Sequence, residues 1–475
     1  MTVKCADCKG YFCRRGVVEA APDFCPMRGE FPEFEDLYPE GGTRDLLTRA
    51  ALVEAGGYCR WTRLREIAEF ARLMEFERVG LPHCPDMASE ARRAASFLRE
   101  EGLDTFLPPA SSMGDPEVQA QALAQAGVDF NVLSGMCVAH EAIFLQATGT
   151  PTVSLVSRDV RLRNNPAAGL YTSRSYLKSE LFGYWPADER TPFRGGSPEI
   201  LHQVAEEVYS DEGPPVSRIS EAMSVAHALG AGHIGISFCV GFREEAKILA
   251  RILQANGFEV SSVCCKTGSV PKEEAGIRDD QKVRPGTAEM ICNPVAQAEL
   301  LNRDEIQFAL ILGQCVGHDA ATLMHLDVPA ACIVTKDRVL AHNTTAALPP
   351  EPAILRPIGV VENGLPLGTP SDTLRKAESK VVVDSSLVAG LQDLNKEDRI
   401  LVVFHFHLST GWDPLQHPKG DESRPRRGVF ALRSPRRPNG IGVTEVDLLE
   451  IRDNILTVRG LDAVDGTPVL DLKPA

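Results

Sequence analysis

The chain carries 13 cysteines, and their spacing is the first sign of chemistry. Cys5, Cys8, Cys13 and Cys25 form a C-x2-C-x4-C-x11-C-P run at the N-terminus. Two thiols so close in sequence can chelate one metal from a tight loop, and two more complete an all-sulfur shell. Four thiolates suit zinc or an iron–sulfur cluster, and the spacing matches neither common ferredoxin run. A second set comprises Cys239, the Cys264-Cys265 pair followed by Lys266, Cys292 before Asn293-Pro294, and Cys315 with His318 and Asp319. A thiol that opens a helix has its thiolate favoured by the dipole, and nearby Lys266, Lys336 and Arg338 act in the same direction. This set fits a soft-metal site or a nucleophilic cysteine. Both sets, with His318, are candidate metal ligands. Cys332, within AACIVT, reads as core. In a reducing cytosol so many cysteines suggest ligands or reactive thiols rather than disulfides.

The elements that would position these groups repeat. Thr62–Cys84 aligns with Ser217–Cys239 at an offset of 155 residues, and Asp115–Ala142 aligns with Asn293–Ala320 at an offset of 178. The 23-residue difference is an insertion in the second copy near Cys264–Cys292. The expected organisation is a Cys-rich segment over 1–60, copy one over 61–171, a joining stretch over 172–215, copy two over 216–349 and a cysteine-free domain over 354–475. The proline-rich Leu348–Pro357 reads as a linker. In each copy apolar β-branched runs alternate with helical periodicity, which predicts tandem α/β units with mostly parallel sheets. Ligands bind such sheets beyond the carboxyl ends of the strands. Copy one keeps Cys84, Cys137 and His140 but has Leu107-Pro108 near the place of the cysteine pair and Gly114 in place of Cys292. It reads either as having kept the fold and lost the chemistry, or as joining copy two at a pseudo-symmetric interface. The last domain has short alternating runs (SKVVVD, RILVVFHFH, GVFAL, GVTEVDLLEIR, NILTVRGL) that predict an all-β, barrel-like or sandwich fold, with Asp453-Asn454 as a hairpin turn.

Over 475 residues the net charge is −15, which argues against nucleic-acid binding by the whole surface. Residues 354–475 hold 16 Lys+Arg and 17 Asp+Glu, a balance of −1, so the acidity belongs to the rest. Within this domain, Gln416–Gly440 has seven basic and two acidic residues, a local +5. A basic turn of this kind can contact phosphate. No run of 18 apolar residues occurs, and the opening MTVKCADCKG has no apolar core, so neither a membrane span nor a secretory signal is expected and a cytoplasmic location follows.

Two resemblances add to this reading. The N-terminal cysteines with FCxGF, CCKTG, CNPxAQAxLLN, CVGHD and KDRVLAHN resemble an uncharacterised prokaryotic family credited with metal binding, here duplicated. ILRPIGVVENG, VVFHFHLSTGW, GVFALRSPRRPNGIG and GLDAVDGTPVLDLKP resemble the TrmO/TsaA-like tRNA methyltransferases. That resemblance implies a β-barrel that binds S-adenosyl-L-methionine, a homodimer, and N6-methylation of threonylcarbamoyl-adenosine in tRNA. It also implies that Phe406, His407, Arg433, Gly460, Leu461 and Asp462 contact the cofactor, and that Arg436, Arg437, Asn439 and Lys473 lie in the RNA-facing motifs. Asp462 suits a cationic cofactor, and His407 or an aspartate suits the base that takes the acceptor's proton, so His407 and Asp462 are the candidate catalytic pair. Three features depart from the family: GLPLGTPSDT stands where a Pro-Arg-Gln loop is usual, Gly440 replaces a proline, and no aromatic tail follows Ala475. They leave an alternative, a metal- or redox-sensing binding protein with a non-catalytic barrel.

Overall fold

The structure is a computed structural model that describes residues 2–29, 31–182, 191–209, 215–349, 355–396 and 398–475. Parts of the joining stretch and of the proline-rich linker (183–190, 210–214 and 350–354) lie outside the described residues. The chain divides into two units, 1–351 and 352–475.

The first unit holds two four-stranded parallel sheets. After helix α1 (Thr43–Gly57), copy one runs α2 (Arg63–Leu73), β1 (Arg78–Gly80), α3 (Ala88–Glu100), β2 (Asp104–Phe106), α4 (Pro116–Gln125), β3 (Phe130–Ser134), α5 (Val138–Ala147) and β4 (Thr152–Val156). Helix α6 (Pro198–Tyr209) lies within the joining stretch and buries Leu201, Val204 and Ala205. Copy two runs α7 (Arg218–Ala228), β5 (His233–Phe238), α8 (Arg243–Ala255), β6 (Glu259–Cys264), α9 (Pro294–Arg303), β7 (Phe308–Leu312), α10 (His318–Leu323) and β8 (Ala330–Val334). The sheet orders are β2-β1-β3-β4 and β6-β5-β7-β8, the same order in both copies.

Local signals repeat as well. Thr62 and Ser217 cap α2 and α7 by accepting from Arg65 N and Ser220 N. Asp115 and Asn293 cap α4 and α9, each followed by proline at the first helical position. Gly80 and Gly235 occupy matching strand positions, where an added Cβ would meet the Leu123 and Ile306 side chains at 2.6 and 2.4 Å. Only glycine lets those packed side chains come so close to the sheet.

The copies are locked by two buried arginines at matching positions. Arg63 on α2 donates to Ser154 O at 3.0 Å, to Gln314 O at 3.0 Å and to the Asp319 carboxylate. Arg218 on α7 donates to Cys332 O at 2.7 Å, Met136 O at 2.8 Å, Arg158 O at 3.0 Å and the Glu141 carboxylate. Each helix therefore reaches into the opposite copy. The backbone N–H groups of Arg63 and Arg218 donate to Asp337 and Asp159, again across the copies.

The second unit is a closed six-stranded antiparallel barrel in the order β10-β15-β14-β11-β16-β9. Its strands are β9 (Gly359–Glu362), β10 (Glu378–Val383), β11 (Arg399–His405), β14 (Ile441–Arg452), β15 (Ile455–Arg459) and β16 (Pro468–Pro474). A small ribbon, β12 (Leu415–Gln416) with β13 (Arg427–Gly428), precedes β14. The alternation read in the sequence packs Val381, Ile400, Val402, Phe404, Val446, Leu448 and Val458 inside. Asp453, at φ 54°, and Asn454 turn β14 into β15 as expected. GVFAL is not a full strand: only Gly428 belongs to β13, and Val429–Ala431 form a 3₁₀ turn.

Removing either arginine leaves a buried carboxylate unpaired, which costs about 3–5 kcal/mol. Arg63→Met and Arg218→Met are each expected to lower the first unit's stability by that amount in denaturant titrations. Because both hold one interface, the double variant should lose less than the sum.

Candidate cofactor and metal sites

The strand-end cysteines of copy two converge. Cys239 follows β5, Cys265 follows β6, Cys292 precedes the α9 cap, and Cys315 precedes α10. All are buried, as is His318. Cys292 Sγ lies 3.7 Å from Cys265 Sγ. Three cations enter the set. Lys336 Nζ stands 2.9 Å from Cys239 Sγ and 3.3 Å from Cys315 Sγ. Arg338 lies 3.3 Å from Cys315 Sγ, and Lys266 Nζ lies 3.3 Å from Cys292 Sγ. Glu54 and Glu66, from α1 and α2 of the other half, pair with Arg338 at 2.5 and 3.3 Å. Burial raises Glu66 to about 7 against the pull of Arg338. The His318 imidazole is buried against Cys292 and Cys315. Burial opposes its charge, but those sulfurs outweigh it and push it up to about 10. Of these groups, Cys239, Lys266, Lys336, Arg338 and Glu54 line a cleft of about 590 Å³, together with Lys272, Arg284 and His342.

Cys264 faces elsewhere. With Cys5, Cys8, Cys13 and Cys25 it lines a separate pocket closed by Phe12, Phe24 and Met27. The N-terminal segment is pinned there by Val3 N to Asp304 at 2.7 Å, Ala6 N to Ser262 Oγ at 3.0 Å and Ser269 Oγ to Cys13 O at 2.8 Å. Among the described residues, no three of these five sulfurs lie within 4.8 Å of one another. A single zinc with bonds of about 2.3 Å needs sulfurs about 3.8 Å apart, so the pocket is wider than one ion requires. Cys265 opens the turn after β6, and its thiol meets Cys292 while Cys264 lines the N-terminal pocket.

In the barrel unit, Asp462 is the most constrained of the expected residues. It follows β15 beyond Gly460, whose φ is 104°, and the buried Leu461. Its carboxylate accepts from Thr444 Oγ1 at 2.5 Å, Arg375 at 2.6 Å and Ser371 Oγ at 3.4 Å. Burial alone would raise the carboxyl; Thr444 and Arg375 outweigh it and hold it below its ordinary value. Asp462 is thus a fixed anion, poorly suited to take a proton. Arg375, Thr444 and Ser371 escaped the sequence reading. His407 follows β11, half-buried, and among the described residues its ring has no hydrogen-bond partner. Phe406 N donates to Gly440 O at 2.7 Å, and the Phe406 ring packs on Phe404 at 5.3 Å. Gly440 lies 3.5 Å, at its absent Cβ, from the His405 ring. Arg433 and Asn439 are exposed. Arg436 pairs with Asp413 at 3.2 Å, Arg437 reaches Leu432 O at 3.5 Å, and Lys473 pairs with Asp471 at 2.7 Å.

Comparison with known proteins matches both units. "Protein of unknown function (DUF1847)" matches residues 27–108, 107–155 and 195–333, more than half of the chain. "tRNA-methyltransferase O N-terminal domain" matches residues 363–475. An S-adenosyl-L-methionine-binding protein of Archaeoglobus fulgidus is 38% identical over 125 residues, 25% of this chain and 87% of its own length. The chain belongs to both families. An uncharacterised protein of Methanocaldococcus jannaschii is 39% identical over 132 residues, 28% of this chain and 66% of its own length. The tRNA (adenine(37)-N6)-methyltransferase of Escherichia coli is 47% identical over 79 residues, 16% of this chain and 34% of its own length. The solved TrmO of Pseudomonas aeruginosa is 28% identical, covering 26% of this chain and 55% of that one, at a TM-score of 0.22. This chain therefore spans about two thirds or less of several relatives. The TrmO-like barrel contains the Asp462 site, and the DUF1847 matches include the strand-end thiols of copy two. No helix among the described residues is long and apolar enough to cross a membrane.

His342, in the DUF1847 module, gives a pH test. It packs on Phe242 and accepts from Asp337 N at 3.1 Å. Burial, then the Lys336 charge, lowers it from 6.5 to about 4. The unfolded chain binds more protons between these values, so stability is full above pH 6.5 and falls as pH drops towards 4. With its partial exposure the loss is about 1–2 kcal/mol. His342 has φ 66°, a conformation asparagine tolerates. His342→Asn should therefore fold and show a flatter fall in denaturation midpoint between pH 7 and 4 than the parent.

Proposed function

We propose that the barrel unit is an S-adenosyl-L-methionine-dependent methyltransferase that acts on tRNA, with the N6 of threonylcarbamoyl-adenosine as acceptor. The observation that carries this is the Asp462 carboxylate, fixed and ionised beside Gly460-Leu461. The cofactor, when bound, supplies the activated methyl group. Asp462 offers it a fixed negative charge that need not reorganise. Thr444 and Arg375 hold Asp462 in place, so the base role falls to His407, whose ring is free to accept the acceptor's proton. Arg433 joins the cofactor contacts, and Arg436, Arg437 and Asn439, with Lys473, supply a basic surface for phosphate. The matched E. coli enzyme bears the name of this reaction, which supports the acceptor. Exposed Trp412, Leu415 and Phe430 support a second copy of the chain as partner. The expected result is S-adenosyl-L-methionine binding by calorimetry, weakened at least tenfold in Asp462→Asn. His407→Gln should keep binding and lose turnover. Nucleoside mass spectrometry of tRNA from cells with and without the gene tests the acceptor; an unchanged level of the methylated nucleoside removes it.

We infer further that the first unit holds a polynuclear iron–sulfur centre on Cys5, Cys8, Cys13, Cys25 and Cys264. Two features support this. Among the described residues no three of the five sulfurs come within 4.8 Å of one another, as one zinc would need, and no lysine lines their pocket. A metal centre would supply the positive charge that the strand-end thiols obtain from Lys266, Lys336 and Arg338. Anaerobic purification should give a brown protein absorbing near ~400 nm, bleached in Cys8→Ser and Cys264→Ser. A colourless, zinc-loaded protein would overturn the reading.

A further inference from the structure

Copy one also brings sulfur and imidazole together. One ligand atom from each of Cys84, Cys137 and His140 lies within 4.8 Å of the others. Both cysteines are buried and the histidine is half-buried. Cys84 follows β1; Cys137 is the N-cap of α5, and His140 lies one turn along the same face. The site therefore stands at the carboxyl ends of copy one's strands, matching the place of Cys239, Cys315 and His318 in copy two.

Charge separates the two places, and Arg338, which lies 3.3 Å from Cys315 Sγ, has Val160 as its counterpart in copy one. In copy two, Lys336 inserts its ammonium between the sulfurs, at 2.9 and 3.3 Å. Its counterpart in copy one is Arg158, which is drawn outward by Asp86, with bonds of 2.7 and 2.9 Å. The residue matching Asp86 in copy two is Gly241, which has no side chain to draw Lys336 away. With Arg158 paired to Asp86 rather than bonded to the sulfurs, Cys84, Cys137 and His140 face one another.

We propose that Cys84, Cys137 and His140 bind one zinc-class divalent ion, a site independent of the N-terminal centre. A tetrahedral ion with bonds of about 2.0–2.3 Å needs ligand atoms about 3.5–3.8 Å apart, which the observed spacing approaches. Two sulfurs and one imidazole nitrogen are a borderline-soft donor set. Three protein ligands leave a fourth position for water or a substrate atom. Binding deprotonates the two thiols and releases their protons.

The test uses the full chain, stripped by chelator and titrated with Co²⁺. The parent should bind one more equivalent than Cys84→Ser/Cys137→Ser, and the difference spectrum should show thiolate-to-cobalt and tetrahedral ligand-field bands. His140→Gln, which keeps both thiols, should bind that equivalent at least tenfold more weakly and shift its bands. Equal stoichiometry in parent and double variant, with unchanged bands in His140→Gln, would overturn the site. So would a Cys84–Cys137 disulfide, seen as the loss of two hydrogens in the peptide mass of freshly purified protein. If the double variant does not fold, the His140→Gln titration decides.

Discussion

The first unit depends on two guanidinium groups taken wholly out of water. Burying a charge is expensive, and attraction to one carboxylate rarely repays it. Arginine makes the arrangement workable because its planar fork offers five donors at fixed angles. Arg63 and Arg218 spend theirs on backbone carbonyls as well as on Asp319 and Glu141, so few donors are left unmatched. Each arginine draws its partners from both copies. Neither arginine finds all of its partners within its own copy. The same reciprocity builds the sites: Glu54 and Glu66 reach Arg338 of copy two, while Glu221 of copy two accepts from Val138 N in copy one at 2.8 Å.

A duplicated scaffold of this kind lets one copy change while the other keeps the frame. Arg158 and Lys336 occupy equivalent places, as do Asp86 and Gly241. A cation beside two sulfurs stabilises thiolate; the same cation paired with a surface carboxylate leaves the sulfurs to each other. Such exchanges, together with Val160 in the place of Arg338, change the charge around the sulfurs on a shared frame. The shared sheet order and the equal bounds of α2 and α7, or of β3 and β7, show how little the frame has moved.

Much of this was legible in the sequence, for a physical reason. The repeat offsets of 155 and 178 residues carry periodicity, caps and close-packing glycines, all local properties, and they gave the tandem parallel sheets. The period-2 runs gave the barrel. What stayed hidden depends on partners far along the chain. Arg63 and Arg218 lie inside the aligned repeat, yet nothing local says that each crosses to the other copy. Arg375 and Asp462 are 87 residues apart, and their pairing needs the barrel to close. Cys264 and Cys265 read as one pair in the sequence, and only the folded chain brings Cys5, Cys8, Cys13 and Cys25 to the Cys264 side of it.

The strand-end site of copy two is best understood as a charge balance in a place with little water. Lys266, Lys336, Arg338 and the raised His318 bring positive charge to a buried floor. Glu54 answers part of it, and Glu66, near its ionisation point at about 7, answers little. The remainder must come from sulfur. Cys292 is held well below its usual value, first by hydrogen bonding with Cys265 and then by Lys266 and His318. Its sulfur faces the Lys266 ammonium and the His318 imidazole. Cys239, beside the Lys336 ammonium, lines the cleft together with Lys272 and Arg284, whose cations suit an anionic small molecule. The N-terminal pocket, with its sulfurs apart and few cations, is suited to a metal. The cysteines divide by the charge around them, not by their spacing in the sequence.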